Sequence, residues 1–184
     1  MVKINLLSEL CMMIYNEPYK GSSDMTVNNL INTLIDAVPS IKPNYEKAQQ
    51  EWKTLFNHLS DQDRDVLNEL SIANKTPRSS SDLPITQFVE DVFVPHFVAL
   101  VRSEEQRCLL ESRAALRVLE DILGGSSFDD KNAIVVSFCE SLLTTYEDDI
   151  KYFISDLGKY TRSTFVEQLE EYVVSDDTRR LFNI

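Results

Sequence analysis

The sequence predicts an all-α protein, on two observations. Apolar residues recur every three or four positions along almost the whole chain, whereas the two-residue alternation of a strand is nearly absent. Only four glycines and six prolines interrupt 184 residues, so the helices are expected to be long. We predict a single compact domain over residues 1–184 with about eight or nine helices, arranged as an irregular bundle or a short stack of helical hairpins.

Three helices are predicted before residue 60. The first covers roughly 2–15 and ends before Pro18, and the second covers about 25–38 and stops before Pro39. Pro43 suits the first turn of the third, where its missing N–H costs nothing. The apolar stripe of the third helix consists of Tyr45, Ala48, Trp52, Leu55, Phe56 and Leu59.

A polar loop divides the chain. Ser60 is predicted to cap a short helix that runs to about Ile72. Residues 74–84 then combine two prolines with several Ser and Thr hydroxyls and offer no core side chains. This loop is the best candidate for an internal boundary, between sub-halves 1–73 and 85–184.

After the loop, the apolar pattern predicts a helix from Ile85 that is kinked or broken at Pro95. Residues 103–106 form a capping box, Ser-Glu-Glu-Gln, that starts a helix running to Leu123. Gly124-Gly125 is predicted to stop it.

The last part of the chain begins with a strongly apolar helix over about 130–145, whose apolar side chains cover roughly 200° of its circumference. We expect it to be central to the packing. The predicted closing helices are 147–158, 162–174 and 176–182, with Gly158 between the first two.

Charge favours a protein partner over a nucleic acid. The net charge is −12, and residues 1–59 are almost neutral, so the later helices carry nearly all of it. Such a field repels phosphates and suits a basic protein, although it is also typical of an ordinary solvated surface. The predicted charged partner surface consists of Glu147, Asp148, Asp149, Glu170 and Glu171.

Tests for known chemistry predict no catalytic residue, no cofactor and no metal site. His58 and His96 are the only histidines, and neither lies in a nucleophile or metal motif. The one Gly pair lacks the spacing of a phosphate-binding loop. The paired carboxylates lack the alternation of a calcium-binding loop, because adjacent helical residues point about 100° apart.

Two weaker features concern charge. Arg102, Arg113 and Arg117 share one face of the capped helix and could contact an anionic partner, but Glu120 lies there too, so a solvated mixed-charge face is the simpler interpretation. Thr76, followed by Pro77, is a minimal site for regulatory phosphorylation.

The cysteines and the N-terminus predict an intracellular protein, cytoplasmic or nuclear. Cys11, Cys108 and Cys139 are odd in number and widely separated, which indicates reduced thiols. The N-terminal apolar run is interrupted by polar residues and lacks a cleavage site, and no segment reaches the 18 or so apolar residues of a membrane span.

A Gly-Gly turn followed by a very apolar helix in an acidic helical chain resembles the compact bundle of Bcl-2-like proteins. Where that family has an Asn-Trp-Gly-Arg stretch, this sequence has Phe-Asp-Asp-Lys from Phe128. The sequence also lacks a Leu-x-x-x-Gly-Asp segment and a C-terminal apolar anchor. The resemblance implies a regulator that binds an amphipathic helix.

From the residues alone we expect a non-enzymatic protein-interaction module: an adaptor, scaffold or assembly subunit that uses a helical surface or groove. Its partner would be a protein, either basic or contributing an amphipathic helix, and a homo-oligomer also fits. One alternative is a Bcl-2-like regulator. The other is an enzyme with an unfamiliar carboxylate site, which a pocket containing an acid with a strongly raised pKa would favour.

Overall fold

The computed structural model describes residues 27–63, 65, 82–125 and 134–184. All regular structure within these ranges is helical, with no strand, which confirms the all-α prediction. The helix predicted over 2–15, the end of the helix predicted after Ser60, and most of the loop 74–84 lie outside the described residues.

Two helices lead into the described structure. Helix α1 spans Val27–Ala37, a 3-10 turn spans Pro39–Ile41, and α2 spans Lys42–His58. Proline stands in the first turn of both the 3-10 turn and α2, as its missing N–H favours. After α2, the Ser60 hydroxyl oxygen accepts the backbone N–H of Asp63 at 3.2 Å, so the predicted cap forms.

Helix α3 continues through Pro95 without a break. Of the two outcomes predicted at this proline, a kink or a break, the break is therefore wrong. Its three consecutive parts are Ile85–Gln87, the π-helical Phe88–Phe93, and Val94–Arg102. The N–H of Val94 bonds the carbonyl of Val89, five residues back. Pro95, which lacks an N–H, therefore follows a wide π-helical turn. This turn accommodates the distortion that proline imposes on a helix.

Helix α4 spans Gln106–Gly125. At its start the Ser103 hydroxyl accepts the N–H of Glu105 at 3.2 Å, whereas the N–H of Ser103 bonds the Leu100 carbonyl at 3.1 Å, so the capping box is not reciprocal. The glycine pair belongs to the helix, and no described glycine has a positive φ. The residues after Gly125 lie outside the described ranges, so the stop at the glycine pair stays a prediction.

The remaining described elements follow α4 in the chain, and α6 among them packs against it. Helix α5 combines a π-helical part, Ile134–Cys139, with Glu140–Thr145. The helix predicted over 147–158 is instead two 3-10 segments, Glu147–Tyr152 and Ile154–Asp156. Helices α6 and α7 are Lys159–Leu169 and Asp176–Phe182, the latter capped by Ser175.

One continuous core joins the described elements, from Leu30 in α1 to Phe182 in α7. It draws on residues from both sides of the loop 74–84, and this favours a bundle over a stack of separate hairpins. Stacked and edge-on rings with centroids 5.1–6.3 Å apart run through it. These rings are Phe93, Phe97, Phe138, Phe153, Phe165 and Phe182.

A half-buried carboxylate ties α4 to the start of α6. Glu120 of α4 accepts the N–H groups of Tyr160 and Thr161, each at 2.8 Å, and so caps a helix that is distant in sequence. Burial opposes ionisation of this acid, but these hydrogen bonds outweigh it and lower the pKa of Glu120. Glycine is required at position 158, because a Cβ there would lie 2.2 Å from Cδ of Glu120.

Candidate functional site

A groove of about 780 Å³ lies between α2 and α3. Its apolar lining residues are Ala48, Trp52, Leu55, Leu83, Val92, Pro95 and Ala99. Its polar lining residues are Asn44, Lys47, Glu51, Gln87, Asp91 and His96. The mixture of an apolar floor with a few polar groups is typical of a binding site.

The groove is elongated along both helices. On α2 its lining extends from Asn44 to Leu55, which is about 16 Å at 1.5 Å per residue. On α3 it extends from Gln87 to Ala99, about 18 Å by the same rise. The lining therefore offers about three helical turns on each side.

Helix α2 leaves its apolar side only partly covered. None of its residues, all of which the structure describes, is buried. Tyr45 meets Phe88 edge-on at a centroid distance of 5.6 Å, and the amide oxygen of Gln49 accepts the N–H of Leu83 at 3.0 Å. Further along, Leu55 is 37% exposed.

Trp52 marks the floor of the groove. Its indole Nε1 is shielded from solvent yet has no hydrogen-bond partner among the described residues. A buried donor without an acceptor is costly and uncommon in a folded protein. Within the described part of the chain, the indole N–H of Trp52 is therefore a donor without an acceptor in the lining of the groove.

A polar network closes one end of the groove. The Ser40 hydroxyl donates to Oε2 of Glu111, which also accepts the Ser40 N–H at 3.2 Å. Nε2 of His96 lies 2.8 Å from the same hydroxyl oxygen, and Asn44 Nδ2 lies 3.3 Å from Nδ1 of His96. Arg107 completes the set with an Nε–Oε1 distance of 2.9 Å to Glu111.

The directions of these hydrogen bonds argue against a serine nucleophile. Because Ser40 gives its proton to Glu111, its oxygen accepts from Nε2–H of His96, and Nδ1 of His96 accepts from Asn44. A nucleophile needs the opposite arrangement, in which the imidazole takes the hydroxyl proton. The network instead fastens the turn before α2 to α3 and α4.

Burial shifts the pKa values of this network. Loss of water lowers the pKa of His96, although the charge of Glu111 opposes that shift. For Glu111 burial would raise the pKa, but the hydrogen bonds from Ser40 and the contact with Arg107 prevail and lower it. The pair is therefore best suited to a neutral imidazole beside an ionised carboxylate.

Two adjacent carboxylates on α3 have raised pKa values, in contrast to Glu111. Burial raises the pKa of Asp91, which lines the groove. Burial also raises the pKa of Glu90, assisted by the charges of Asp91 and Glu140 and opposed by the hydroxyl of Ser137. No group of three or more His, Cys, Asp or Glu side chains suited to a metal ion occurs in the described parts of the chain.

The five carboxylates of the predicted partner surface have different environments. Asp149 is only 3% exposed and accepts both Nε and an Nη of Arg102, at 2.6 and 2.8 Å, so including it in an exposed surface was wrong. Glu147 accepts the N–H of Ser175 at 2.7 Å. Asp148, Glu170 and Glu171 are exposed.

Two of the three arginines predicted to share a face have acidic partners within the chain, and Arg117 has no ion pair among the described residues. Arg102 pairs with Asp149, and Arg113 lies 3.1 Å from Asp156. Glu120 on the same face caps α6. The mixed-charge interpretation therefore describes this face better than an anion-binding patch.

Several sequence features remain outside these observations. Thr76 and the stretch from Phe128 compared with Bcl-2-like proteins lie outside the described residues. In the described residues no helix is long and apolar enough to cross a membrane. Cys139 is fully buried in α5, and burial raises the pKa of its thiol.

The comparisons with known proteins give a family without an activity. A family model described as "Domain of unknown function (DUF7674)" matches residues 31–172, and the chain belongs to this family. No curated protein and no solved structure matches the chain. The groove lining, from Asn44 to Ala99, falls entirely within the matched region.

Proposed function

We propose that this chain, a member of a family with no assigned activity, is a non-enzymatic protein-interaction module, an adaptor, scaffold or assembly subunit. Its groove between α2 and α3 binds an amphipathic helix of a partner protein. The observation that supports the proposal is the only partly covered apolar side of α2, a helix with an apolar stripe and no buried residue.

The dimensions of the groove support a helical ligand. A partner helix anchored at positions i, i+3 or i+4, and i+7 needs about two to three turns of apolar surface, and the lining from Asn44 to Leu55 supplies about 16 Å. Trp52 gives it a large aromatic contact, the residue type that most often dominates binding energy. A Bcl-2-like regulator would also bind a helix, so the same test covers that alternative.

A carboxylate-based enzyme is the second candidate, since Asp91 lies in the groove with a raised pKa. Such an acid is the feature that would favour catalysis. Against it, the neighbouring imidazole of His96 is engaged by Ser40 and Asn44. The helix-binding module is therefore the better supported of the two.

The test compares two leucines that differ in position. Leu55 lines the groove and is 37% exposed, whereas Leu110 lies on α4, outside the groove lining, and is 58% exposed. The full-length chain, Leu55→Glu and Leu110→Glu are each used to purify complexes from the native host, and stoichiometric partners are identified by mass spectrometry. We expect Leu55→Glu to lose a partner that the other two retain, because the new charge interrupts the apolar floor.

The control separates the groove from general surface effects. Both variants should unfold at nearly the same denaturant concentration as the parent chain, since neither leucine is buried. Retention of every stoichiometric partner by Leu55→Glu would overturn the proposal. Loss with Leu110→Glu alone would place the interaction on α4.

A further inference from the structure

The charges that line the groove are unevenly paired. Lys47 and Glu51 form an i,i+4 pair at 3.8 Å, with both side chains highly exposed. His96 is held by Ser40 and Asn44. Asp91, in contrast, has neither a hydrogen bond nor an ion pair among the residues that the structure describes.

Asp91 lines the groove as a partly solvent-exposed carboxylate without a partner among the described residues. It lies on the π-helical part of α3 beside the buried Val92, and burial alone raises the pKa of its carboxyl group. A carboxylate in this situation is stabilised by any cation placed within a few ångströms, because the surrounding apolar atoms reduce screening. Because Lys47 and Glu51 pair with each other, Asp91 gives the groove lining a charge preference for a cation.

We propose that the groove selects a basic amphipathic helix, whose Lys or Arg side chain pairs with Asp91 while its apolar side chains pack on Trp52 and Leu55. This inference rests on the proposed function and specifies the partner's chemistry. The net charge of −12 acts in the same direction, since it speeds the approach of a basic ligand. A second copy of the chain would bring another −12 and is disfavoured by the same field.

The probes are two synthetic peptides with identical apolar faces, each long enough for about four helical turns. One carries lysines beside the apolar face and the other carries glutamates, and neither contains Trp or Tyr. Trp52 is the only tryptophan of the chain and lines the groove, so its selectively excited fluorescence reports occupancy. Binding to the full-length chain is titrated at low and high salt.

We expect the lysine peptide to bind at least about tenfold more tightly than the glutamate peptide at low salt, and the preference to shrink as salt screens the charges. Asp91→Asn should weaken the lysine peptide about tenfold, which corresponds to roughly 1.4 kcal/mol, and leave the glutamate peptide unchanged or slightly tighter. Asp148→Asn is the matched control, because it removes the same charge from an exposed position outside the groove lining.

The outcomes separate this inference from the function on which it rests. If neither peptide changes Trp52 emission or gives heat of binding, the proposed helix-binding function fails and this inference with it. If both peptides bind equally and Asp91→Asn changes neither, the groove binds helices without selecting charge, and only this inference is overturned. A larger effect of Asp148→Asn than of Asp91→Asn would also overturn it, in favour of the acidic C-terminal surface.

Self-association provides a further decisive readout. If the groove is occupied by a second copy, the chain sediments as a dimer, the peptides fail to bind, and Leu55→Glu produces a monomer. That combination would overturn the basic-helix inference. A monomer that binds the lysine peptide with a shift in the fluorescence emission of Trp52 would support the basic-helix inference.

Discussion

Two helix pairs of this molecule are joined in contrasting ways. Between α4 and α6, the half-buried carboxylate of Glu120 accepts N–H groups of the incoming helix at 2.8 Å, and Gly158 permits its close approach. Between α2 and α3, direct contacts such as Tyr45 on Phe88 lie beside a groove of about 780 Å³. One interface is closed by specific polar bonds and the other leaves apolar surface accessible.

The contrast shows that the groove is a local feature of an otherwise well-packed bundle. Phe97 and Phe165, at the centre of the aromatic core, are both 0% exposed, whereas no residue of α2, a helix described throughout, is buried. Stability among the described elements therefore resides mainly in α1 and in α3 to α7. Helix α2 is available for binding because the rest of the bundle does not depend on its complete burial.

The largest expected effect is on the closed side. Phe97→Ala should lower the free energy of unfolding by about 3–5 kcal/mol, because it leaves a cavity at the centre of the core. Phe97 contacts Phe93, Phe138 and Phe153 with centroids 6.1, 5.5 and 5.1 Å away. Equilibrium denaturation measures the loss, and a change below about 1 kcal/mol would contradict this account of the core.

The next effect concerns the α4–α6 contact. Gly158→Ala should cost about 1–3 kcal/mol, since the new Cβ would meet the Glu120 carboxylate at 2.2–2.6 Å and displace it from the start of α6. Gly125→Ala is the control: nothing lies within 4 Å of a Cβ there, so it should be neutral or stabilise by up to about 1 kcal/mol. Equal unfolding midpoints for the two variants would contradict the requirement for glycine at position 158.

Sequence periodicity was sufficient for the helical fold because burial of apolar stripes is its main cause. The prediction identified α1, α2, α4 and the cap at Ser60, where local signals coincide with the structure. It failed over 147–156, where two 3-10 segments replace a helix. There Asp149 is buried against Arg102, a contact between distant residues that no local pattern encodes.

The groove could not be predicted for the same reason. The stripe of Tyr45, Ala48 and Trp52 predicts an apolar helix face, but whether that face is covered depends on the packing of α3. In the sequence, His96 also lies in no nucleophile or metal motif, and the sequence predicts no partner for it. Its partners are Ser40 and Asn44, about fifty positions away, and only the fold brings them together.

The third prediction concerns pH at the closed end of the groove. Because burial lowers the pKa of His96 below its ordinary 6.5, the unfolded chain binds more protons in that range. The contribution of the neutral His96 side chain to the free energy of unfolding is complete above pH 6.5. It is lost as pH falls toward the pKa of His96 in the folded state, with a slope of at most about 1.4 kcal/mol per pH unit. His96→Gln should flatten this slope in denaturation curves, whereas His58→Gln, at an exposed site at the end of α2, should retain it.

Glu111, in the same network, makes stability depend on pH in a more acidic range. The pKa of Glu111 is lowered below its ordinary 4.5, because hydrogen bonds from Ser40 and the contact with Arg107 outweigh burial. Its contribution is present above 4.5 and is lost as pH falls through the folded pKa. Glu111→Gln should therefore reduce the acid sensitivity that remains in His96→Gln. If Glu111→Gln leaves the loss of stability at acid pH unchanged, that result would argue against the network as a fastening between α2 and α4.

The smallest expected effect most directly tests whether α2 is held loosely. Leu55→Ala should change the free energy of unfolding by no more than about 0.5 kcal/mol, since Leu55 is already 37% exposed. The same substitution at Leu34, which is 0% exposed in α1, should cost about 2–5 kcal/mol. A comparable loss at both positions would mean that the Leu55 side chain is packed in solution and that the groove is filled. A small loss at Leu55 together with weaker peptide binding would show that this side chain serves binding more than folding.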